Sequence, residues 1–300
     1  MELWIIISIA AAAFQTLRFM LQKTLSMGTL SAAGTTFARF VYAAPFTWAL
    51  AAGYLAWRGI EIPALSGWFW IYALSGGLAQ IVATFCVVLI FQTRNFAVGI
   101  TFKKTEVIQT VILGLVVLGD RVSSAGVVAI VIGLVGVLIL SDPPGGQGGW
   151  LQRLANRAAG LGLVSGTLFA VSAIGYRGAT LEIAHDDSFL RAVVSVAVVN
   201  LSQTLAMGLW LRWREPGQLT CIWAARRKAV WIGVTSMAGS LSWFTAFTMQ
   251  NAAYVFAVGQ IEVIFSLLAS VLFFHEKITS REFWGIALLS ASILVLVVLG

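Results

Sequence analysis

The chain has 300 residues, of which 59% are hydrophobic and 10% are charged. A soluble domain carries about 25% charged residues, so this composition, with a mean hydropathy of +0.92, excludes an ordinary soluble domain and predicts a membrane protein. The formal net charge is +7. Because the basic residues cluster in the connections between apolar runs, as the positive-inside rule requires, we expect the lipid bilayer as a partner and no nucleic acid.

Ten apolar runs follow one another along the chain, and most are about as long as a membrane-spanning helix. They cover residues 3–22, 32–56, 67–92, 96–118, 123–141, 157–177, 188–211, 229–249, 253–274 and 281–299. The runs are too long and continuous for the alternating strands of a membrane barrel. The first run lacks a basic start and a small-residue cleavage site, which predicts a retained helix. We therefore predict an all-α integral membrane protein with ten transmembrane helices.

Two connections between these runs are longer than the rest. The segment 142–156 begins with a stretch rich in Pro and Gly, which break helices, and it divides five predicted helices from five. The connection 213–228 is strongly basic. We therefore predict a first five-helix unit at 1–141, a linker at 142–156 and a second five-helix unit at 157–300.

The two units share sequence at one fixed offset. Glu106-Val107-Ile108 returns as Glu262-Val263-Ile264, 156 residues later, and two further matches have the same offset. These are Asn95 with Asn251, and Asp120-Arg121-Val122-Ser123-Ser124 with Glu276-Lys277-Ile278-Thr279-Ser280. Because each unit has an odd number of helices, the second must cross the membrane in the opposite sense. The repeat therefore predicts an inverted-topology duplication, which is common in secondary transporters.

Ionisable residues within the predicted spans are the first candidates for a site. They are Arg18, Arg39, Lys103, Lys104, Glu106, Arg191 and Glu262. Each costs about 2.5–3.5 kcal/mol at the centre of an inserting helix, and such residues normally face the bundle interior or a water-filled cavity. Lys103 and Glu106 are i,i+3 neighbours that can pair directly. Lys104 is turned by about 100° on a regular helix, so we expect it to point elsewhere. The group is either a structural salt bridge or the charged centre of a substrate or proton cavity.

Glu262 has no basic neighbour on its own predicted helix, because Gly259 and Gln260 stand where the first unit has Lys103 and Lys104. It must find a partner across the bundle or take up a proton, which an unpaired carboxylate in a low-dielectric interior does readily. We hypothesise that Glu262 is protonated for part of a transport cycle.

Two arginines occupy similar places in the two units. Phe37-Ala38-Arg39 resembles Phe189-Leu190-Arg191 near the start of the second and seventh spans. Either these side chains reach the membrane interface, as Arg18 also can, or one of them binds an anionic group bidentately. Polar residues of the third and eighth spans, Gln80 and Trp243 among them, either bridge helices or contribute to the site.

Basic residues are distributed unevenly over the connections. Eleven lie in the odd-numbered connections and three in the even-numbered ones. Since basic loops stay in the cytoplasm, both termini are expected outside an inner (cytoplasmic) cell membrane.

The paired turns Leu118-Gly119-Asp120-Arg121-Val122-Ser123 and Phe274-His275-Glu276-Lys277-Ile278-Thr279 resemble the acidic–basic–aliphatic–Ser/Thr turn of the drug/metabolite transporter superfamily, specifically its EamA-like ten-helix members. The resemblance covers both units. It implies a secondary transporter with alternating access and a central cavity between the first four helices of each unit. Two features depart from the family: the Pro often seen in the fourth and ninth helices is absent, and many members keep the N-terminus in the cytoplasm.

The resulting prediction is a proton-coupled or facilitative transporter of a small polar metabolite. Two lysines beside glutamates suit an anion or a zwitterion, such as an organic acid or an amino acid, and repel a bare cation. The alternative is a flippase for a phospholipid or polyprenyl-phosphate intermediate, with Arg39 and Arg191 on the phosphate. A lateral opening between helices would favour the flippase, and a closed water-lined cavity the metabolite.

Other chemistry is not indicated. The histidines are far apart, Cys86 lies in an apolar run and Cys221 in a connection, and there is no nucleophile motif, metal-ligand spacing or nucleotide-binding loop. We expect no enzyme, no catalytic residue, no metal and no cofactor. For the assembly a monomer is the working expectation.

Overall fold

The computed structural model describes residues 2–92, 103–141 and 157–273, and near the C-terminus residues 280, 283–285, 287–288, 291–292 and 295. Over these residues the chain is helical and contains no strand. The helices are α1 (Leu3–Ser26), α2 (Ala32–Arg58), α3 (Gly67–Phe91), α4 (Glu106–Leu118), α5 (Ser124–Ser141), α6 (Arg157–Leu181), α7 (Ser188–Arg214), α8 (Pro216–Ala224), α9 (Arg226–Met249), α10 (Ala252–Gly259) and α11 (Ile261–Leu272).

Most predicted spans coincide with these helices to within four residues at either end. The basic connection 213–228 contains the additional helix α8, which begins with Pro216 in its first turn, a position that suits proline. The linker 142–156, Asn95, the turn 274–279 and most of the last predicted span lie outside the described residues.

Four stretches of the described chain are long and apolar enough to cross a membrane: Leu3–Ser26, Gly67–Phe91, Ser188–Arg214 and Ala252–Ala269. The remaining long helices, α2, α6 and α9, contain more Gly, Ala, Ser and Thr. Small and hydroxyl-bearing residues are typical of helix contacts inside membrane bundles, because they allow backbones to approach closely. The chain is a multi-pass membrane protein.

Helices α3 and α6 show how close this approach is. A Cβ atom built on Gly175 would lie 2.7 Å from the Tyr72 carbonyl oxygen and 2.9 Å from the Gly76 Cα. A Cβ atom on Gly76 would in turn lie 3.1 Å from the Ser172 carbonyl oxygen, so the absence of a side chain at both glycines permits this packing. The contact brings polar side chains of both helices to the centre of the bundle.

Two of the predicted spans are not continuous helices. A tightened turn at Lys104–Thr105 precedes α4, where the Val107 N–H donates to the Lys104 carbonyl at 3.4 Å. A matching turn at Gln260 separates α10 from α11, where the Val263 N–H donates to the Gln260 carbonyl at 2.9 Å. Such i→i−3 bonds interrupt a regular helix and often mark functional positions. The two turns are 156 residues apart, which is the offset of the sequence repeat.

One end of the bundle, called here the Asp120 end, is where α2, α4, α6 and α9 end. Asp120 accepts hydrogen bonds from Arg177 through both carboxylate oxygens, at 2.7 and 3.1 Å. Arg177 also donates to the carbonyls of Phe247, at 2.6 Å, and Gln250, at 2.9 Å. The acidic turn that follows α4 is therefore fastened to α6 and to the end of α9.

Candidate functional site

Four charged side chains meet in the middle of the bundle and form what we call the central cluster: Lys103, Lys104, Glu106 and Glu262. Each is at most 1% exposed. The Lys103 ammonium lies 3.0 Å from Glu262 Oε2 and 3.4 Å from Glu106 Oε1. The Lys104 ammonium hydrogen-bonds Glu262 Oε2 and lies 3.5 Å from Glu106 Oε1. Two ammonium groups thus share one oxygen of each carboxylate.

This geometry confirms one sequence expectation and corrects another. Lys103 and Glu106 form the expected i,i+3 pair. The expectation that Lys104 points elsewhere is wrong, since Lys104 contacts the same Glu106 oxygen. The reason is the tightened turn at Lys104–Thr105, where the angular spacing of a regular helix no longer applies.

Glu262 has partners across the bundle, so the reason for expecting it to be unpaired is removed. Besides the two lysines, the Gln15 side-chain amide on α1 donates to Glu262 Oε2 at 3.1 Å. The segment that precedes α4 and helix α1 therefore supply the partners that Glu262 lacks on its own helix. Glu106 and Glu262 both lie in the first turn of a helix, where the helix dipole also favours a carboxylate.

The central cluster is incompletely hydrogen-bonded. Glu106 Oε2, Glu262 Oε1 and Gln260 Oε1 are buried and accept no hydrogen bond from any described residue. An unsatisfied buried polar atom costs about 1–3 kcal/mol, so such atoms are uncommon and call for a functional reason.

A cavity of about 20 Å³ adjoins the central cluster, which is room for roughly one water molecule. Its polar lining consists of Gln15, Gln80, Lys103, Glu106, Ser172 and Ser240. Its aromatic lining consists of Phe169, Tyr176, Trp243, Phe244, Phe247 and Phe256. Charged and aromatic side chains therefore face the same small space.

Gln80 and Trp243, both predicted from the sequence, lie in this lining. The Trp243 indole N–H donates to Gln15 Oε1 at 3.1 Å, and its ring packs so closely on Gly259 that a Cβ there would lie 2.5 Å from it. Gln80 Oε1 accepts a hydrogen bond from Gln203 at 3.0 Å. The second tightened turn is thus in contact with the cavity through Trp243.

Arg39 does not reach the membrane interface, so that sequence interpretation is wrong. Its side chain is 3% exposed and donates to three hydroxyls on neighbouring helices. These are Ser236 at 2.9 Å, Thr84 at 2.8 Å and Ser240 at 3.5 Å. Since the hydroxyls come from α3 and α9, the fold solvates the guanidinium inside the bundle.

Arg18 is buried as well, whereas Arg191 is not part of the site. Arg18 donates to Gln22 at 3.1 Å and Gln15 at 3.3 Å, and its guanidinium lies 4.0 Å from the centre of the Phe19 ring. Half-buried Arg191 donates to the Thr180 carbonyl at 2.7 Å near the start of α7. The structure therefore joins Arg39, but not Arg191, to the surroundings of the cavity.

Sequence reasoning left Gln15 and the aromatic lining out of the site. Gln15 links Glu262, Arg18 and Trp243, yet an isolated amide in a span is usually a helix-bridging group. The aromatic residues carry no distinguishing spacing, and only their convergence from α6, α9 and α10 identifies them.

Around the cavity the described charges do not balance. Arg18, Arg39, Lys103 and Lys104 are buried there with only two buried carboxylates, Glu106 and Glu262. The surplus is two positive charges, in an interior where uncompensated charge is costly.

Comparison with known proteins identifies the family. Residues 157–298 match the model of the EamA-like transporter family. The second half of this chain is therefore similar to an EamA-like transporter domain. The family is part of the drug/metabolite transporter superfamily, so the resemblance inferred from the sequence is confirmed. EamA members are transporters and not enzymes.

The whole chain shares its fold with a solved structure. That structure, described as "Crystal structure of protein", superposes with a TM-score of 0.69 at 16% identity and covers 97% of this chain and 99% of its own. At this identity the likeness shows the fold alone. No curated protein matches the chain.

Proposed function

We propose that this EamA-like protein is a secondary transporter that moves a small anionic or zwitterionic metabolite, such as an organic acid or an amino acid, by alternating access. The central cluster is the main support for this proposal. Four ionisable groups are buried inside the helix bundle beside a small cavity, and Glu106 Oε2 and Glu262 Oε1 accept no hydrogen bond from any described residue. Intramembrane ionisable residues in such a place are typical of substrate and ion pathways.

The two tightened turns support the transport mechanism. Discontinuous helices near the bilayer midplane, in corresponding positions of two repeats, are typical of secondary transporters. Here the turns at Lys104–Thr105 and Gln260 carry or adjoin the cluster, and they are related by the repeat offset. We propose that they belong to two inverted five-helix repeats, with the Asp120 end outside, as the positive-inside count predicts.

The charge surplus around the cavity supports an anionic or zwitterionic substrate. Two buried positive charges beyond the carboxylates lower the energy of a bound anion, and they repel a bare cation. The same surplus bears on coupling. A proton on Glu262 would raise the surplus further, so proton binding and anion binding would favour each other, whereas an uncoupled carrier would show no such linkage.

Transport by the purified protein in proteoliposomes tests this function. We expect saturable uptake of at least one member of a panel of radiolabelled organic acids and amino acids, and none of simple amines. Glu262→Gln and Lys104→Met should abolish that uptake, while Lys228→Met, which removes an exposed lysine, should leave it intact. Repeating the uptake with and without an imposed pH gradient separates proton-coupled from facilitative transport. Uptake of amines alone, or full activity of both cluster variants, would contradict the proposal.

The flippase alternative receives less support. Arg39 and Arg191 have no partner in common, so the described residues do not form the shared phosphate site that this alternative needs. We therefore expect no acceleration of fluorescent phospholipid flipping in the same proteoliposomes.

A further inference from the structure

Arg39 and Arg177 each donate several hydrogen bonds, but their side-chain partners are of different kinds. Arg177 has a carboxylate partner, Asp120, at 2.7 Å. The side-chain hydrogen-bond partners of Arg39 are all neutral hydroxyls, its guanidinium lies 5.0 Å from the centre of the Phe40 ring, and no described carboxylate lies within ion-pair distance of it. Hydroxyl groups solvate a guanidinium without cancelling its charge, so a buried positive charge remains uncompensated.

The least engaged edge of Arg39 is the one nearest Ser240, a residue of the cavity lining. Its strong hydrogen bonds run from Nε to Ser236 and from one terminal nitrogen to Thr84. The other terminal nitrogen reaches Ser240, a cavity-lining residue, only at 3.5 Å, the outer limit of a hydrogen bond. A guanidinium has five N–H donors, so two of them are uncommitted.

The adjoining wall of the cavity is built of stacked rings. Tyr176 and Phe244 stack with ring centres 4.1 Å apart. Trp243 and Phe247 stack at 5.7 Å, and Phe256 meets both of them edge-on at 5.5 and 5.3 Å. Surfaces of this kind favour an apolar, flat occupant.

We propose that Arg39 is a carboxylate-binding subsite and that the transported substrate is a ring-bearing carboxylic acid. Its carboxylate takes the uncommitted N–H donors of Arg39 in place of Ser240, and its ring lies against Tyr176, Trp243 and Phe244. Planar guanidinium and carboxylate groups match in bidentate geometry. The inference rests on the proposed transport function and gives it a substrate class.

The subsite is used in a more open state than the one described. Ligand pockets usually measure about 300–1,000 Å³, whereas this cavity measures about 20 Å³. In the structure described here the rings therefore pack around one water-sized space, and Arg39 lies behind Ser240 in its lining. When the acid binds, the aromatic rings and Arg39 move apart, and both then contact the acid.

Direct binding to the purified, full-length protein tests the subsite independently of transport. Isothermal titration calorimetry should show that 3-phenylpropionate binds at least about tenfold more tightly than two reference compounds. These are propionate, which lacks the ring, and 3-phenylpropan-1-ol, which lacks the charge. Arg39→Gln should weaken 3-phenylpropionate binding by about tenfold or more, and Arg39→Lys should restore part of it. Arg191→Gln is the matched control, because Arg191 holds the corresponding place in the second unit but lies away from the cavity, and it should bind as the unsubstituted protein does.

A second pair of variants keeps the test decisive if Arg39→Gln folds poorly. Ser240→Asp places a carboxylate beside Arg39, so it should raise the unfolding temperature and eliminate 3-phenylpropionate binding. Ser240→Asn has nearly the same size without the charge and should retain binding. Equal affinity of the Asp and Asn variants, or equal affinity of the acid and the alcohol, would overturn the subsite. Binding without any transport would instead overturn the transport function and leave the subsite standing.

Discussion

The centre of the bundle and its Asp120 end both contain buried or half-buried ion pairs, but they use them differently. At the Asp120 end, both oxygens of Asp120 and all three nitrogens of the Arg177 guanidinium are hydrogen-bonded. In the central cluster, two ammonium groups share Glu106 Oε1 and Glu262 Oε2, while the second oxygen of each carboxylate has no described partner. The ion pair at the Asp120 end holds helices together, whereas each carboxylate of the central cluster has one oxygen that accepts no hydrogen bond from a described residue.

This difference separates structural from functional charge. A bidentate pair in which both carboxylate oxygens and most of the guanidinium donors are already used has little to gain from another ligand. A cluster with free oxygens and surplus positive charge can change partners at small additional cost. We therefore expect substitutions in the central cluster to have the largest effects and substitutions at the Asp120 end to have smaller ones.

The largest effect is expected from single substitutions in the central cluster. Glu262→Gln leaves Lys103 and Lys104 with one carboxylate oxygen between them, so it should destabilise the protein by about 3–5 kcal/mol. Thermal unfolding in detergent measures the loss. Lys228→Met, at an exposed position, is the control and should lie within about 0.5 kcal/mol of the unsubstituted protein. A Glu262→Gln protein as stable as this control would show that the cluster is solvated and not paired.

At the Asp120 end the expected effect is smaller and purely structural. Arg177→Gln removes the bidentate bond to Asp120 and the bonds to the Phe247 and Gln250 carbonyls, so it should cost about 1.5–3 kcal/mol. Substrate affinity should stay unchanged once the protein is folded. Titrations of Arg177→Gln and of the unsubstituted protein, at a temperature well below both unfolding transitions, measure this affinity. A shift in affinity larger than the shift seen with Glu262→Gln would contradict a purely structural role for Arg177.

The tightened turn before α4 can be tested through its neighbour on α6. A Cβ on Gly166 would lie 2.7 Å from Thr105 Oγ1 and 3.0 Å from the Lys103 carbonyl oxygen, whereas one on Gly160 would meet nothing within 4 Å. Gly166→Ala should therefore cost about 1–3 kcal/mol by overpacking. Gly160→Ala, in the same helix, should be neutral or stabilising by up to about 1 kcal/mol. If both variants unfold at the same temperature, α6 does not support the turn.

The sequence located the central cluster because charged residues within membrane spans are rare and functional. Lys103, Lys104, Glu106 and Glu262 were all selected on that ground, and the structure brings them together. Their pairing was not accessible from the sequence. It depends on the tightened turn at Lys104–Thr105 and on the approach of α10 and α11 to the segment before α4, and neither has a signature such as proline.

The behaviour of the arginines shows the same limit. Arg39 and Arg191 stand in similar sequence surroundings, yet one is buried among hydroxyls and the other binds a backbone carbonyl near a helix start. The deciding groups, Thr84, Ser236 and Ser240, come from distant parts of the chain. Helix lengths, by contrast, follow from local apolar runs, which is why the spans were predicted to within a few residues.

The smallest expected effect is a pH dependence at the Asp120 end. Burial raises the pKa of Asp187, but hydrogen bonds from Tyr54 and from the Leu190 and Phe189 N–H groups outweigh it, so the pKa lies below its usual range. A depressed pKa contributes stability that is present above the ordinary value of about 3.9 and is lost as the pH falls through the lower, folded value.

Asp187→Asn keeps a capping oxygen but removes this charge. The variant should therefore unfold at a lower temperature than the unsubstituted protein near neutral pH, and the two temperatures should converge on acidification to about pH 3 or below. Unfolding temperatures measured across that range decide the point. If the difference between the two unfolding temperatures stays constant with pH, the helix cap contributes to stability and the charge of Asp187 does not.

The most direct test of the central claim, that Glu262 is held by the lysines of the first unit, is a double-mutant cycle between Lys104 and Glu262. The four proteins are the unsubstituted chain, Lys104→Met, Glu262→Gln and the double variant, compared by their free energies of unfolding in detergent. We predict that the double variant is destabilised by less than the sum of the two single variants, with a coupling of about 1–3 kcal/mol. Additive effects, within about 0.5 kcal/mol, would mean that the two groups do not interact and would contradict the account.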